Sequence, residues 1–171
     1  MAPGGPADIP PSLPGAETTS WPVLLLAVAI AGGLGTLARF GLATAVGAWA
    51  HRWAGESASI RNGFLGGVPG AAPVGTLAVN AVGCLVFGLL WGWTAHRESA
   101  AGWATPELRL VVLTGFLGAF TTFSTFAFET THLLRHGHTA AALLNVLVQN
   151  VVGLTLAFLG FVVAAKLFAP E

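Results

Sequence analysis

The sequence predicts an all-α integral membrane protein with four transmembrane helices per chain, and three observations predict it. Of the 171 residues, 54% are apolar and 8% are Asp, Glu, Lys or Arg, against about 25% charged in an ordinary soluble domain. Charged side chains are missing from residues 18–38, 62–96, 110–128 and 136–165, and about 20 apolar residues let a helix cross roughly 30 Å of hydrocarbon. Five of the six tryptophans, Trp21, Trp49, Trp91, Trp93 and Trp103, fall at or near the ends of the predicted helices, where an amphipathic indole sits at headgroup level. A mean hydropathy of +0.76 agrees.

Residues 1–20 hold five of the ten prolines and no basic residue. They lack the positive segment that opens a signal peptide and the means to form a core, so a disordered Pro-rich N-terminal tail is predicted. A four-helix membrane domain follows over 21–168. Its first helix, near 22–47, carries Arg39 with no acid in its own segment. A Gly- and Ser-rich connection over about 50–70 leads to a second helix near 72–94. The third is placed near 107–132 and the fourth near 139–165, with Arg135-His136-Gly137-His138 as the short turn between them.

Seven basic residues balance seven acidic ones, so no polyanion-binding surface is implied and nucleic acid is not an expected partner. With four spans, Arg97, Arg109 and Lys166 fall on one side of the membrane and Arg52, Arg61 and Arg135 on the other. Lys and Arg in short loops set orientation, so a chain without asymmetry has no preferred way to insert. Insertion in both orientations, unless loops of different length weigh unequally, points to an antiparallel homodimer with inverted halves, an arrangement transporters reach through internal inverted repeats. The single cysteine, Cys84, excludes an intrachain disulfide framework.

Polar chemistry is concentrated in three places. In the second helix Asn80 stands in the apolar run Pro73-Val74-Gly75-Thr76-Leu77-Ala78-Val79-Asn80; an amide at that depth either ties helices together or lines a pathway. In the third helix, residues 114–126 contain five hydroxyl residues, two glycines and four phenylalanines. Such a segment either continues as a helix whose hydroxyls bond back to the preceding turn or breaks and frees carbonyls for a hard cation. Phe123 and Phe126 share a face at helical spacing, Ser124 and Thr125 lying between them in sequence; they serve packing or offer electropositive ring edges to an anion. In the first helix Arg39 reaches a wet vestibule or snorkels to the interface, and Glu129 either pairs with it or sits at the solvated end of the third helix. His132, His136 and His138 lack the carboxylate or thiolate that would complete a metal site.

Three stretches taken together, GGLGTLAR at 32–39, GTLAVNAVG at 75–83 and TGFLGAFTTFSTF at 114–126, resemble the signatures of the Fluc (CrcB) fluoride channel family, in order and on the matching helices. The resemblance implies a fluoride-selective channel, exporting fluoride passively from the cytoplasm across a bacterial plasma membrane, and an antiparallel dimer whose third helix is broken at mid-membrane. It also implies a structural sodium ion at the dimer centre, held by backbone carbonyls that fall here on Gly118 and Thr121 of each subunit. The pore phenylalanines match Phe123 and Phe126, the pore amide Asn80 and the vestibule arginine Arg39, while Ser124 and Thr125 continue the match. Phe40 stands where the family often has Tyr or Trp, and Ala119 replaces a frequent glycine. Helix-four hydroxyl positions align with Gly153 and Ala157, leaving Asn145, Gln149, Asn150 and Thr155 as open alternatives.

The physical logic is consistent with that family. Fluoride is small and strongly hydrated, so a selective pore replaces water with amide, hydroxyl and ring-edge donors while staying too narrow for chloride. Two other classes compete: a small dual-topology cation or drug exporter, which needs a membrane-embedded carboxylate, and a non-conducting assembly subunit in which Asn, Thr and Phe only pack. The sequence has no G-x-S-x-G, no H-E-x-x-H and no phosphate-binding loop, so no enzyme activity is expected.

Overall fold

A computed structural model describes residues 20–54, 73–96 and 105–168. The predicted N-terminal tail and most of the 50–70 connection lie outside the described residues, as do Arg61, Arg97 and Trp103 of the charge and tryptophan arguments. The elements are α1 (Trp21–Ala54), α2 (Pro73–His96), α3 (Pro106–Arg109), a π-helix (Leu110–Leu117), α4 (Gly118–Phe120), α5 (Phe123–Arg135) and α6 (Thr139–Phe168). Four segments are long and apolar enough to cross a membrane: Trp21–Ala50, Pro73–Thr94, Pro106–Arg135 and Thr139–Phe168.

Local chemistry sets several boundaries. Thr105 caps α3 by accepting the Leu108 N–H (3.2 Å), and Pro106 occupies the first helical turn, where its missing N–H costs nothing. Thr122 caps α5 in the same way, accepting the Thr125 N–H at 3.2 Å. Gly137, at φ +77°, closes the turn into α6 in a left-handed conformation that favours glycine. The π-helix was not legible in the residue pattern; its wider turn lies where the chain crosses α1.

Lipid tails are as apolar as leucine, so helices in a bilayer associate by close packing of small residues rather than by excluding water. Two crossings follow that rule. A Cβ added at Gly35 of α1 would overlap the Phe116 carbonyl oxygen in the π-helix. At the α2–α6 crossing a Cβ at Gly88 would overlap the Ala157 carbonyl, and one at Gly160 would lie 2.9 Å from the Leu89 amide nitrogen. Within the 32–39 stretch Gly35 thus acts as a backbone contact point, whereas a Cβ at Gly33 would meet nothing within 4 Å. A small core of Val79, Leu117 and Phe120 sits between these crossings. Outside it, large apolar side chains such as Leu37, Leu154 and Phe158 are exposed on the isolated chain, as expected of surfaces that meet lipid or a second protein.

Candidate functional site

Between α4 and α5, Thr121 (φ −78°, ψ 157°) and Thr122 (φ −146°, ψ 109°) are extended. Extended backbone inside a span must find partners outside its own helix, because lipid supplies none. Asn80, arriving from α2, supplies them. The Thr122 N–H donates to Asn80 Oδ1 (2.9 Å) and Asn80 Nδ2 donates to the Thr122 carbonyl (3.2 Å), so the side-chain amide imitates a neighbouring strand. Of the two readings of Asn80, the inter-helix tie is realised.

This clasp has a consequence for the carbonyls. In a continued helix the Thr122 N–H would bond to Gly118 and the Thr125 N–H to Thr121. The first instead goes to Asn80 Oδ1 and the second to the Thr122 hydroxyl. Two side chains therefore withdraw the donors that would have closed on the carbonyls of Gly118 and Thr121. Thr121's own hydroxyl bonds back to Leu117 (3.0 Å).

A cavity of about 390 Å³ opens beside this stretch, and Asn80, Gly118, Thr121, Phe123 and Phe126 all line it. The two phenylalanines meet edge to face, with centroids 5.4 Å apart and planes at 64°. Phe126 is buried, whereas Phe123 is 77% exposed on the isolated chain. Ser124 and Thr125 do not line the cavity; their hydroxyls bond to the Thr122 hydroxyl at 3.3 and 2.9 Å. Arg39 is half-buried on α1, away from the cavity lining.

Glu129 follows neither sequence expectation. It is 4% exposed and accepts a hydrogen bond from the Thr76 hydroxyl at 2.6 Å, one helical turn before Asn80 on α2. On α6, Asn145 ties to the Thr130 hydroxyl (3.0 Å) and Asn150 bonds back to its own helix at Val146 (2.7 Å). Thr155 is exposed and outside the cavity lining. Gln149, Asn150, Gly153 and Ala157 of α6 all line the cavity; of these Gln149 is the one tied to Asn80, being 7% exposed and accepting from Asn80 Nδ2 at 3.3 Å. Its i, i+4 spacing from Asn145 put both amides on one face of α6, a signal the apolar run partly concealed. The His132 and His136 rings lie with centroids 4.2 Å apart and planes tilted by 35°, with His136 Nδ1 on the His132 carbonyl; among the described residues no three His, Cys, Asp or Glu side chains gather as metal ligands.

The family model for CrcB-like protein, Camphor Resistance (CrcB), matches residues 26–161. The chain belongs to the CrcB family. That match spans Arg39, Asn80, the whole 114–126 segment and Gln149. Relatives named fluoride-specific ion channel FluC include proteins from Nitratidesulfovibrio vulgaris, 42% identical over 136 residues covering 80% of this chain and 92% of the relative. One from Nitrosococcus oceani is 38% identical over 138 residues, covering 80% and 92%, and one from Salinibacter ruber is 40% identical over 136 residues, covering 80% and 85%. These relatives are named as ion channels, not as enzymes. With four apolar helices, this CrcB-family chain is a multi-pass protein of a bacterial cell membrane.

Proposed function

We propose that this chain is a fluoride-selective ion channel that assembles as an antiparallel dimer. The observation that carries the reading is the gathering of Asn80, Phe123 and Phe126 on one cavity beside the extended Thr121–Thr122 stretch, in a chain whose relatives are named for fluoride. Fluoride holds its water tightly, and a pore that passes it needs donors at several weak sites in series. Amide hydrogens and electropositive ring edges meet that need without a fixed cationic ligand that would trap the ion.

The same stretch fits a structural sodium ion. Neutral carbonyl oxygens are the donors that coordinate Na⁺ at interrupted transmembrane helices, and the clasp withdraws the helical donors from Gly118 and Thr121. Two oxygens per chain are too few for a hard cation, so an antiparallel partner supplies the other two, with the interruption of the third span at mid-membrane on the twofold axis. Gly118 is exposed on the isolated chain, open to such a partner. When bound, sodium supplies a fixed positive charge that offsets the carbonyl dipoles in a low-dielectric interior.

Conduction is passive. An interior-negative potential drives an anion outward with about 2.3 kcal/mol per charge per 100 mV, which sets the direction of export from the cytoplasm. Arg39 raises the local potential for anions at a vestibule. The competing reading, a coupled cation exporter, now has a buried carboxylate to stand on, Glu129. Liposomes containing the purified protein separate the two: the channel releases internal fluoride passively and in response to voltage, and chloride does not substitute. A folded dimer that releases none sinks the proposal.

A further inference from the structure

We infer that the amide facing the permeant ion in this chain is Gln149, with Asn80 as the residue that positions it. The inference rests on the channel reading above and changes which residue touches the ion.

A side-chain amide has two N–H donors and one oxygen acceptor. Asn80 Oδ1 takes the Thr122 N–H, and the two Nδ2 hydrogens go to the Thr122 carbonyl and to Gln149 Oε1. Asn80 has no donor left for an ion. Its orientation is also fixed: turned over, the amide would set N–H against the Thr122 N–H and oxygen against the Thr122 carbonyl. That orientation fixes the next amide, because a reversed Gln149 would set its NH₂ against the NH₂ of Asn80. The direction of the backbone at one residue, Thr122, is thus relayed through two side chains on two other helices, and its free end is Gln149 Nε2.

That nitrogen is buried and has no hydrogen-bond partner among the described residues, on a residue 93% buried that lines the cavity with Phe123 and Phe126. The hydroxyls of the lining have used their hydrogens, and the Cys84 thiol, also in the lining, is only a weak donor. The Thr121 hydroxyl bonds to Leu117 and the Thr122 hydroxyl to Thr125. Asn150, which is exposed, bonds to Val146 of its own helix. A buried amide donor without a partner is costly and marks a place where a partner is missing. An anion that accepts hydrogen bonds, between ring edges, is the partner whose chemistry fits.

Gln149 is the only glutamine in the chain, so glutamine labelled with ¹⁵N in its side chain gives one NH₂ signal. In the detergent-solubilised dimer that pair shifts on titration with potassium fluoride and stays put with potassium chloride. Gln149→Glu keeps an oxygen for Asn80 and removes only the donor; Gln149→Met removes both groups at similar volume. In liposomes loaded with potassium fluoride, both variants release fluoride at least tenfold more slowly than wild type. Asn80→Asp keeps the acceptor for the Thr122 N–H but offers Gln149 no donor, so Gln149 turns over; flux falls and the NH₂ pair no longer responds to fluoride. Wild-type protein that releases no fluoride overturns the channel reading and this inference together. Wild-type protein that conducts while either folded Gln149 variant keeps more than half its rate, or while the NH₂ pair ignores fluoride, overturns this inference alone.

Discussion

Replacing Asn80 by alanine tests whether the clasp holds the extended stretch. The substitution removes three hydrogen bonds, of 2.9, 3.2 and 3.3 Å, and strands the N–H and carbonyl of Thr122, a residue only 7% exposed. Each buried backbone group left unpaired costs about 1–3 kcal/mol, giving about 2–6 kcal/mol for the pair. Hydrogen bonds between membrane helices average nearer 0.6 kcal/mol, so three of them come to about 2 kcal/mol. The two routes meet at about 2–3 kcal/mol. Part of that loss is recovered if the Thr122 N–H returns to the Gly118 carbonyl, and this recovery has its own signature, since a carbonyl taken back by the helix no longer serves a cation. Thermal unfolding of the purified protein, with sodium or with N-methyl-D-glucamine, reads both effects. Asn80→Ala melts about 4–12 °C lower than wild type in sodium, at about 2–4 °C per kcal/mol for a chain of this length, and loses most of the wild type's sodium dependence. Asn145→Ala, which gives up one bond to a hydroxyl, is the control and moves by less than half as much. Equal small shifts in the two variants, with sodium dependence intact in both, refute the clasp.

Phe123→Ile abolishes fluoride release from liposomes yet leaves the melting temperature within about 2 °C, because a ring 77% exposed on the isolated chain adds little to the fold. Gly88→Val places a branched side chain against the Ala157 carbonyl and forces α2 from α6; at a cost of about 3 kcal/mol or more, the variant elutes from size exclusion as aggregate or melts far below wild type. Thr76→Ala takes from a buried carboxyl the only hydrogen bond it has among the described residues and costs about 1–3 kcal/mol in the melt. Glu129→Gln, which keeps an oxygen for Thr76, costs less than about 1 kcal/mol by the same measurement.

The four spans were legible because charge in a bilayer is expensive: the gaps between charged residues reappear as the four apolar helices. That Asn80, Phe123 and Phe126 meet on one cavity was anticipated through the family resemblance of the 75–83 and 114–126 stretches; their residue types alone left packing open beside an anion site. What stayed hidden depends on contacts distant in sequence. Gln149 lies 69 positions from Asn80, and its proposed part follows from the backbone direction at Thr122, in the extended stretch between α4 and α5, which no residue type announces. Glu129 reads as the polar end of a helix until Thr76 is seen beside it. The π-helix over Leu110–Leu117 has no period of its own in an apolar run. Gly35 and Gly88 look alike as small residues, and only the opposing carbonyls reveal that neither tolerates a Cβ.

A two-residue extended stretch can serve ions of both signs because a peptide unit is a dipole with two unlike ends. In a helix those ends consume one another. At Thr121–Thr122 they are separated, and the pieces go to different places: carbonyl oxygens at Gly118 and Thr121 on one side, and on the other an N–H whose polarity leaves through Asn80 and Gln149 as a free NH₂. Neither side needs a formal charge, which a span of this kind tolerates poorly. In a low-dielectric interior a cation on the carbonyl side lowers the cost of an anion on the amide side. Were the proposed sodium and fluoride sites both filled, they would stabilise one another, and the order of coupling is testable: removing sodium weakens fluoride's effect on the Gln149 signal before it changes the helices themselves. A Gln149 response of equal size in sodium and in N-methyl-D-glucamine would separate the sites and leave the sodium ion a purely structural task.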